Sequence, residues 1–277
     1  MQKTGMFRGA LLVGVLGCAS VCAQAQTVAR STDTAARSRP VTTAAPQRVK
    51  PKGPKIITKE ASIGYRLSTN GWSVYADFGK VKAKNMRQAD MFHNVRLLQV
   101  ELTEKKSPRQ EKLTGDGNTS GGNDTYIFGK INNFYALKLG YGMRTLIAGK
   151  PDPGCVSIHW VNVLGPSLGM IKPYYINIYS DPGGIKYTDN KSDFLNQGLI
   201  QGSAGFSKGL SEMTYTAGGH IKSAIHFDFS TNRKNVLGVE AGVNAEFYAE
   251  KIQLMANQPG TNYFLDLFLA VQFGKRW

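Results

Sequence analysis

Tyr263-Phe264-Leu265-Asp266-Leu267-Phe268-Leu269-Ala270-Val271-Gln272-Phe273, followed by Gly274-Lys275-Arg276-Trp277, is the stretch whose reading decides the fold. Every odd position from Tyr263 to Phe273 is apolar. The even positions are mixed: Asp266, Ala270, Gln272 and Gly274 are small or polar, with Phe264 and Phe268 as exceptions. Alternation with a period of two belongs to a strand whose two faces meet different surroundings. Tyr263 and Phe273 lie ten residues apart and bracket a purely aliphatic face. At ~3.3 Å per residue that is about 33 Å along the strand. Tilted by ~40°, the strand spans roughly 25 Å, the height of an outer-membrane apolar band between aromatic girdles.

The other end of the chain supports the same reading. Lys3 and Arg8 precede an apolar segment, 9–23, which runs into Ala23-Gln24-Ala25. That order predicts a secretory signal peptide over 1–25, cut before Gln26. The rival is a lipoprotein signal built on Val15-Leu16-Gly17-Cys18. Cleavage removes Cys18 and Cys22, leaving Cys155 alone, so the mature chain is expected to contain no internal disulfide. Beyond residue 25 no apolar run approaches the length of a membrane-spanning helix, and the mean hydropathy is −0.26. A barrel gives that value naturally, because only alternate residues face lipid. A soluble β-protein gives it too, so the faces of the strands must decide.

The net charge of +15 is unevenly placed. Residues 26–59 hold eight Lys/Arg against one acid, Asp33, with Pro40, Pro46, Pro51 and Pro54 among Thr, Ala and Arg. With no apolar periodicity, 26–56 is expected to be a disordered basic linker. Nucleic acid is not expected as the partner of an exported segment. Peptidoglycan carboxylates or anionic lipid, met through residues 26–59, fit the charge better.

Between 60 and 275 we read eight amphipathic strands, at 61–69, 72–82, 94–105, 131–147, 155–170, 219–230, 236–254 and 263–273. Asn70-Gly71 is a strong hairpin dipeptide between the first two. The seventh is the clearest, with Leu237/Val239/Ala241/Val243/Ala245/Phe247 opposite Gly238/Glu240/Gly242/Asn244/Glu246/Tyr248. The fold class is therefore all-β, an antiparallel transmembrane β-barrel occupying 57–277. With both termini on the periplasmic side, 83–93, 148–154 and 231–235 are inner turns, and the long 106–125 and 171–218 connections point outward. The last is too long to be only a loop. If 172–179 contributes another strand within a hairpin, the count becomes ten, and 199–213 is expected to form a lid or plug.

Several segments also carry a family likeness. They are Gly129-Lys130-Ile131-Asn132-Asn133-Phe134-Tyr135, Ala148-Gly149-Lys150-Pro151, Gly202-Ser203-Ala204-Gly205-Phe206 and Phe273-Gly274-Lys275-Arg276-Trp277. On these, residues 57–277 resemble the uncharacterised outer-membrane β-barrel proteins of Bacteroidota. The resemblance implies fold and location, and it brings no activity with it. It also implies that Phe273 and Trp277 act as the signal read by barrel-assembly machinery, with Trp277 in place of the commoner Phe.

The inward face is expected to hold Arg66, Asp77, Glu101, Lys138, Arg144, His220, Lys222, His226, Asp228, Glu240, Glu246, Glu250 and Asp266. Both signs are interspersed. An even register through the 231–235 turn places His226 opposite Glu240 and His220 opposite Glu246, and opposite charges across strands stabilise a sheet by about 0.2–1 kcal/mol each. An eight-stranded barrel is just wide enough for side chains to fill it. The expected function is non-enzymatic: a monomeric envelope barrel with a structural or interaction role and an ion-paired interior. The alternative is a small channel for ions or small solutes, gated by His220 and His226. Ser157 and His159 share a strand face, which leaves a lipid-directed enzyme as a further alternative. No paired Cys/His spacing suggests a metal and no glycine-rich loop a phosphate cofactor, so no cofactor is expected. The expected partners are outer-membrane lipids and, during biogenesis, the assembly machinery.

Overall fold

The computed structural model describes residues 57–82, 94–115, 125–149, 155–232 and 234–277. The expected signal peptide, the linker at 26–56, the inner connection 83–93 and most of 148–154 lie outside the described residues.

In chain order the strands are β1 (Lys59–Ser68), β2 (Gly71–Val81), β3 (Asn94–Lys105), β4 (Lys112–Thr114), β5 (Thr125–Ile127), β6 (Asn132–Ala148) and β7 (Ser157–Pro173). They continue with β8 (Tyr175–Ile178), β9 (Asp181–Lys186), β10 (Ile200–Ser203), β11 (Thr214–Asp228), β12 (Asn235–Ile252) and β13 (Thr261–Arg276). Eight of these close one antiparallel barrel in the order β1-β13-β12-β11-β7-β6-β3-β2. β1 pairs with β13 from Glu60↔Arg276 to Ser68↔Phe268, so the first and last strands seal the ring.

The alternation in the sequence becomes the two sides of this wall. Ile63, Tyr65 and Leu67 on β1, Leu98, Val100 and Leu102 on β3, and Leu265, Leu267, Leu269 and Val271 on β13 all project outward and are exposed. The other five strands add exposed apolar side chains, including Phe78, Leu139, Leu164, Ile221 and Val243. No outward position from Ala61 to Leu67 on β1, or from Tyr263 to Phe273 on β13, carries a charge. Outward aromatics edge this belt at both ends, with Trp72, Tyr215 and Tyr263 toward the large connections and Phe78, Trp160 and Phe273 toward the termini.

The first hairpin corrects the sequence reading by one residue. Ser68 pairs with Gly71, so the two-residue loop is Thr69-Asn70 rather than Asn70-Gly71. Gly71 adopts φ 145°, and a Cβ there would come within 1.9 Å of the Glu104 carbonyl oxygen on β3. Glycine is required in the strand, beside the turn, for a backbone conformation that L residues rarely adopt.

The ten-strand alternative is not what forms. β7 does run on to Pro173, past the expected end at Met170, but Tyr175–Ile178 leaves the wall as β8. β8 lies between β9 and β10 in a separate three-stranded sheet, and β4 pairs with β5. A chain with further outward positions to satisfy would lengthen the ring; here the extra apolar residues have their own core. Ile176, Ile178, Ile185, Phe194 and Ile200 bury together with Tyr126, forming a cap at the end away from the termini. Residues 199–213 are thus part of an outer cap and not a plug. The lid over the lumen comes from elsewhere. In the ring order, the β3–β6 and β12–β13 connections stand diametrically opposite, and Lys130 bridges to Met255 between them. Ile131 N donates to Leu254 O at 2.8 Å and Ala256 N to Gly129 O at 2.7 Å, so main chain crosses the mouth.

Candidate functional site

Two places gather charge: the lumen, and a cleft on the outer rim. In the lumen, Arg66 Nη1 donates to both oxygens of Glu101 at 2.7 Å. Lys138 bridges Glu101 (2.9 Å) and Glu246 (2.6 Å), and Lys105 bridges Glu246 (2.8 Å) and Asp266. Cation and anion alternate along this chain, which ties β1, β3, β6, β12 and β13 together across the barrel. Nearer the termini, Glu60 pairs with Arg144 and with Arg276 Nε (3.2 Å), and Arg276 Nη2 reaches Asp228 at 2.6 Å. Lys222 Nζ and His226 Nδ1 each lie 3.3 Å from Glu240. Asp77 has amide partners instead, accepting from Gln99 Nε2 at 2.6 Å and Gln272 Nε2 at 3.2 Å.

The strand register pairs His226 with Glu240 and His220 with Glu246. His220, however, turns its Nδ1 to Ser167 Oγ at 3.0 Å, while Glu246 is taken by the two lysines, Tyr248 OH (2.7 Å) and Asn244 Nδ2 (2.7 Å). All twelve named inward residues from Arg66 to Asp266 other than Glu250 are buried. Glu250 is exposed instead, lying near the outer end of β12 beyond the closed part of the wall. Three further lumen ions join the expected set: Glu60, Lys105 and Arg276. Each has the parity of its neighbours and sits at or beyond the expected strand end. Extending the alternation to those ends was the signal that finds them.

Aromatic rings close what the ions leave. Arg66 lies 4.4 Å from the Phe268 ring centroid and 4.9 Å from that of Tyr75. Tyr75 in turn covers Gly64, its cross-strand partner, where a Cβ would meet the ring at 2.3 Å. Toward the mouth, Phe134 stacks on Phe264 (5.5 Å) and meets Tyr248 edge-on (5.0 Å). Ser157 and His159 point into this packed interior, and His159 abuts His226 at 5.9 Å between centroids. They are therefore on the opposite side of the wall from the apolar belt. Among the described residues, no group of three or more His, Cys, Asp or Glu is arranged to hold a metal. Phe273 and Trp277 are exposed on the outer wall, and the Trp277 main chain pairs with Lys59, N to O at 2.9 Å.

The outer-rim cleft has a volume of about 250 Å³. Its floor is the outward face of β3, β6 and β7, where Glu104 pairs with Tyr135 and Asn133 with Lys172. The cap supplies the opposite wall through Tyr174, Ser203 and Phe206. Five lysines line it, Lys106, Lys112, Lys130, Lys172 and Lys208, against the single carboxylate of Glu104. That carboxylate is already engaged, accepting from Trp72 Nε1 at 2.6 Å and pairing with Lys106 at 3.3 Å. Lys130 is 4% exposed and its ammonium lies 5.7 Å from the Tyr174 ring centroid. Burial lowers its pKa to about 8, with Lys106, Lys172 and Lys112 adding to the effect against Glu104. Lys172 is equally buried, 4.2 Å from the Phe206 ring centroid and donating to the Phe206 carbonyl. Nothing local in the sequence marks this site, because its lysines come from four separate segments.

A third charged feature rims the other end. Lys59 stands directly opposite Lys80, and Lys80 opposite Arg96, all exposed on the outer wall. Lys275, also exposed, pairs with Ala61 beside them.

No family model and no curated protein matches the chain. Among solved structures, it is similar to Ail, the attachment invasion locus protein of Yersinia pestis, in complex with the heparin analogue sucrose octasulfate. The identity is 10% and the TM-score 0.37, over 80% of this chain and 100% of that one. Neisserial surface protein A shows 8% identity and a TM-score of 0.33, over 79% of this chain and 96% of that one. The fold assignment rests on this chain's own strand pairing.

Proposed function

We propose that the chain is a non-enzymatic outer-membrane barrel of the cell envelope, closed to solutes, that works through its outer cap as a structural or interaction element. The observation that carries this reading is the inversion of the wall: apolar side chains outside on all eight strands, paired ions inside. In water such a belt is far larger than the few hundred Å² a soluble monomer exposes. In a bilayer it is the lipid-facing band, and ring closure leaves no unpaired strand edge. Long connections at one end and both described termini at the other fit insertion with the cap outward. The like charges facing each other along Lys59, Lys80 and Arg96 are unfavourable across strands unless anionic groups lie against them, as lipid phosphates at an inner interface would. No helix among the described residues is long and apolar enough to cross a membrane, so crossing falls to the strands.

As part of the same proposal, the partners are outer-membrane lipids, the assembly machinery acting on Phe273 and Trp277, and peptidoglycan or anionic lipid along 26–59. The barrel acts as a monomer, and its likeness to Bacteroidota barrels belongs to this reading as well. A filled lumen under a crossed mouth supports closure over conduction. The test is conductance of the refolded chain in planar bilayers, after a heat-sensitive gel shift has established a folded barrel. A silent, folded sample is expected. Reproducible unitary steps would instead make the protein a channel, and chain released into buffer without detergent would remove the membrane reading.

A further inference from the structure

A basic cleft at a membrane rim asks for an anion, and its position selects which one. The cleft opens immediately beyond Leu102, Leu137 and Leu168, the last exposed aliphatic side chains on the outward faces of β3, β6 and β7. Tyr135 belongs both to the cleft and to the aromatic edge of the belt. A group held there lies at the depth where acyl chains end and headgroups begin. We propose that this cleft binds the phosphate-bearing headgroup of a lipid in the leaflet facing the cap. This rests on the membrane reading above.

The chemistry is specific to a compact anion. The Lys130 and Lys172 side chains are largely buried, and among the described residues neither forms an ion pair with a carboxylate; the Lys172 ammonium has the Phe206 carbonyl as an acceptor and Lys130 has only the Tyr174 ring. A buried charge without a counter-ion is costly, and the ring contacts to Tyr174 and Phe206 offset only part of that cost. Phosphate oxygens between the two ammonium groups would supply the missing partner, with Lys106, Lys112 and Lys208 at the mouth drawing it in. Asn133 on the floor and Ser203 on the cap side add neutral hydrogen-bonding groups to the same cleft. At ~30 Å³ per water, the 250 Å³ cleft holds about eight waters. It is smaller than the ~300–1,000 Å³ of sites for drug-sized ligands, so it admits a headgroup while the acyl chains stay against the belt.

The full chain, purified from membranes in mild detergent, is titrated with phosphatidic acid, phosphatidylcholine or inorganic phosphate, and retained ligand is read by native mass spectrometry. Phosphatidic acid is expected to be retained about tenfold more tightly than phosphatidylcholine, the worth of one charge-assisted contact. Lys130→Met with Lys172→Met should abolish that preference while the heat-sensitive gel shift persists. Lys112→Ala with Lys208→Ala, both at exposed positions, should weaken retention without touching the packing. Undiminished preference in the Lys130/Lys172 variant, as would follow from binding at the basic inner rim, overturns the site. Inorganic phosphate displacing the lipid at equal concentration overturns the lipid assignment. Solubility without detergent would strike the membrane reading separately, leaving phosphate retention by the cleft still measurable.

Discussion

The lumen and the outer cleft bury the same residue and treat it oppositely. Lys105, Lys138 and Lys222 are 1–2% exposed and each touches at least one carboxylate. Lys130 and Lys172, at 4% and 2%, rest on aromatic rings with no carboxylate partner among the described residues. A buried ion pair satisfied within the chain is complete and holds strands together. A buried ammonium left without its counter-ion is a site with one half missing. Pairing, and not burial, separates a structural charge from a binding one, and the two regions make opposite predictions for the same kind of substitution.

The largest effect falls on Glu246, where Lys105, Lys138, Tyr248 and Asn244 converge. Glu246→Ala leaves two lysines short of a partner in the interior and should destabilise the barrel by about 3–5 kcal/mol. Denaturant unfolding of the detergent- or vesicle-inserted protein measures it. An effect below about 1 kcal/mol would mean the network is not what holds the wall. Lys138→Met should be similarly costly, since it strips both Glu101 and Glu246.

His226→Ala comes next. Removing the ring that touches Glu240 at 3.3 Å and covers Gly238 should cost about 1–3 kcal/mol, seen as a lower thermal midpoint. Planar-bilayer conductance should stay silent, because the aromatic cluster at the mouth and the Lys130–Met255 crossing are untouched. A current in this variant would show that the lumen charges are a gate.

The difference between the two regions also explains what the sequence makes legible. Strand alternation is local and survives in one dimension, so the eight strands, their facing and most lumen ions can be read from parity alone. Asn94–Lys105 is bounded as expected, and β11 extends to Thr214, five residues before the expected start at Gly219. Glu60 and Arg276 lie just beyond the expected ends of their strands, and Lys105 is the last residue of a correctly bounded strand whose alternation has to be carried to its end. The cap and cleft are different. Ile176, Ile178, Ile185 and Ile200 also alternate, but nothing in the alternation says that they leave the wall for a core of their own. The cleft needs Lys106, Lys130, Lys172 and Lys208 to converge from segments far apart in the chain, and the lid needs opposite sides of the ring to meet. Both are products of closure, which no single segment encodes.

The cleft should further respond to pH where the lumen does not need to be invoked. Lys130 carries a pKa of about 8, and an anion binds its ammonium form, so binding raises that pKa and takes up a proton at pH above about 8. Affinity is then flat below that point and falls as pH rises through it. The groups acting on Lys130 are Glu104, Lys106, Lys112 and Lys172, while burial raises the Tyr174 phenol further above its usual range and keeps it neutral here. A sulfate-headgroup lipid, ionised throughout, is the probe. A pH-independent affinity would remove Lys130 from the site.

The smallest effect is the sharpest contrast. Lys130→Met retains most of the stem against Tyr174 and deletes a charge that burial disfavours, forfeiting a cation–π contact of about 0.5–2 kcal/mol. With the folded pKa near 8 and the ordinary value at 10.5, the unfolded chain holds this proton more readily than the folded one. In the absence of ligand, the wild-type barrel therefore gains stability from this group as pH rises from about 8 to 10.5, and the variant lacks that gain. At neutral pH the two opposing terms leave Lys130→Met within about 1 kcal/mol of the parent, or slightly more stable. Unfolding both proteins without and with the anionic lipid separates the contributions. The variant should match or exceed wild type in neutral detergent and fall behind it only when the lipid is present. A variant that is strongly destabilised without ligand would place Lys130 with Lys138, as one more internal tie, and erase the distinction between the two regions.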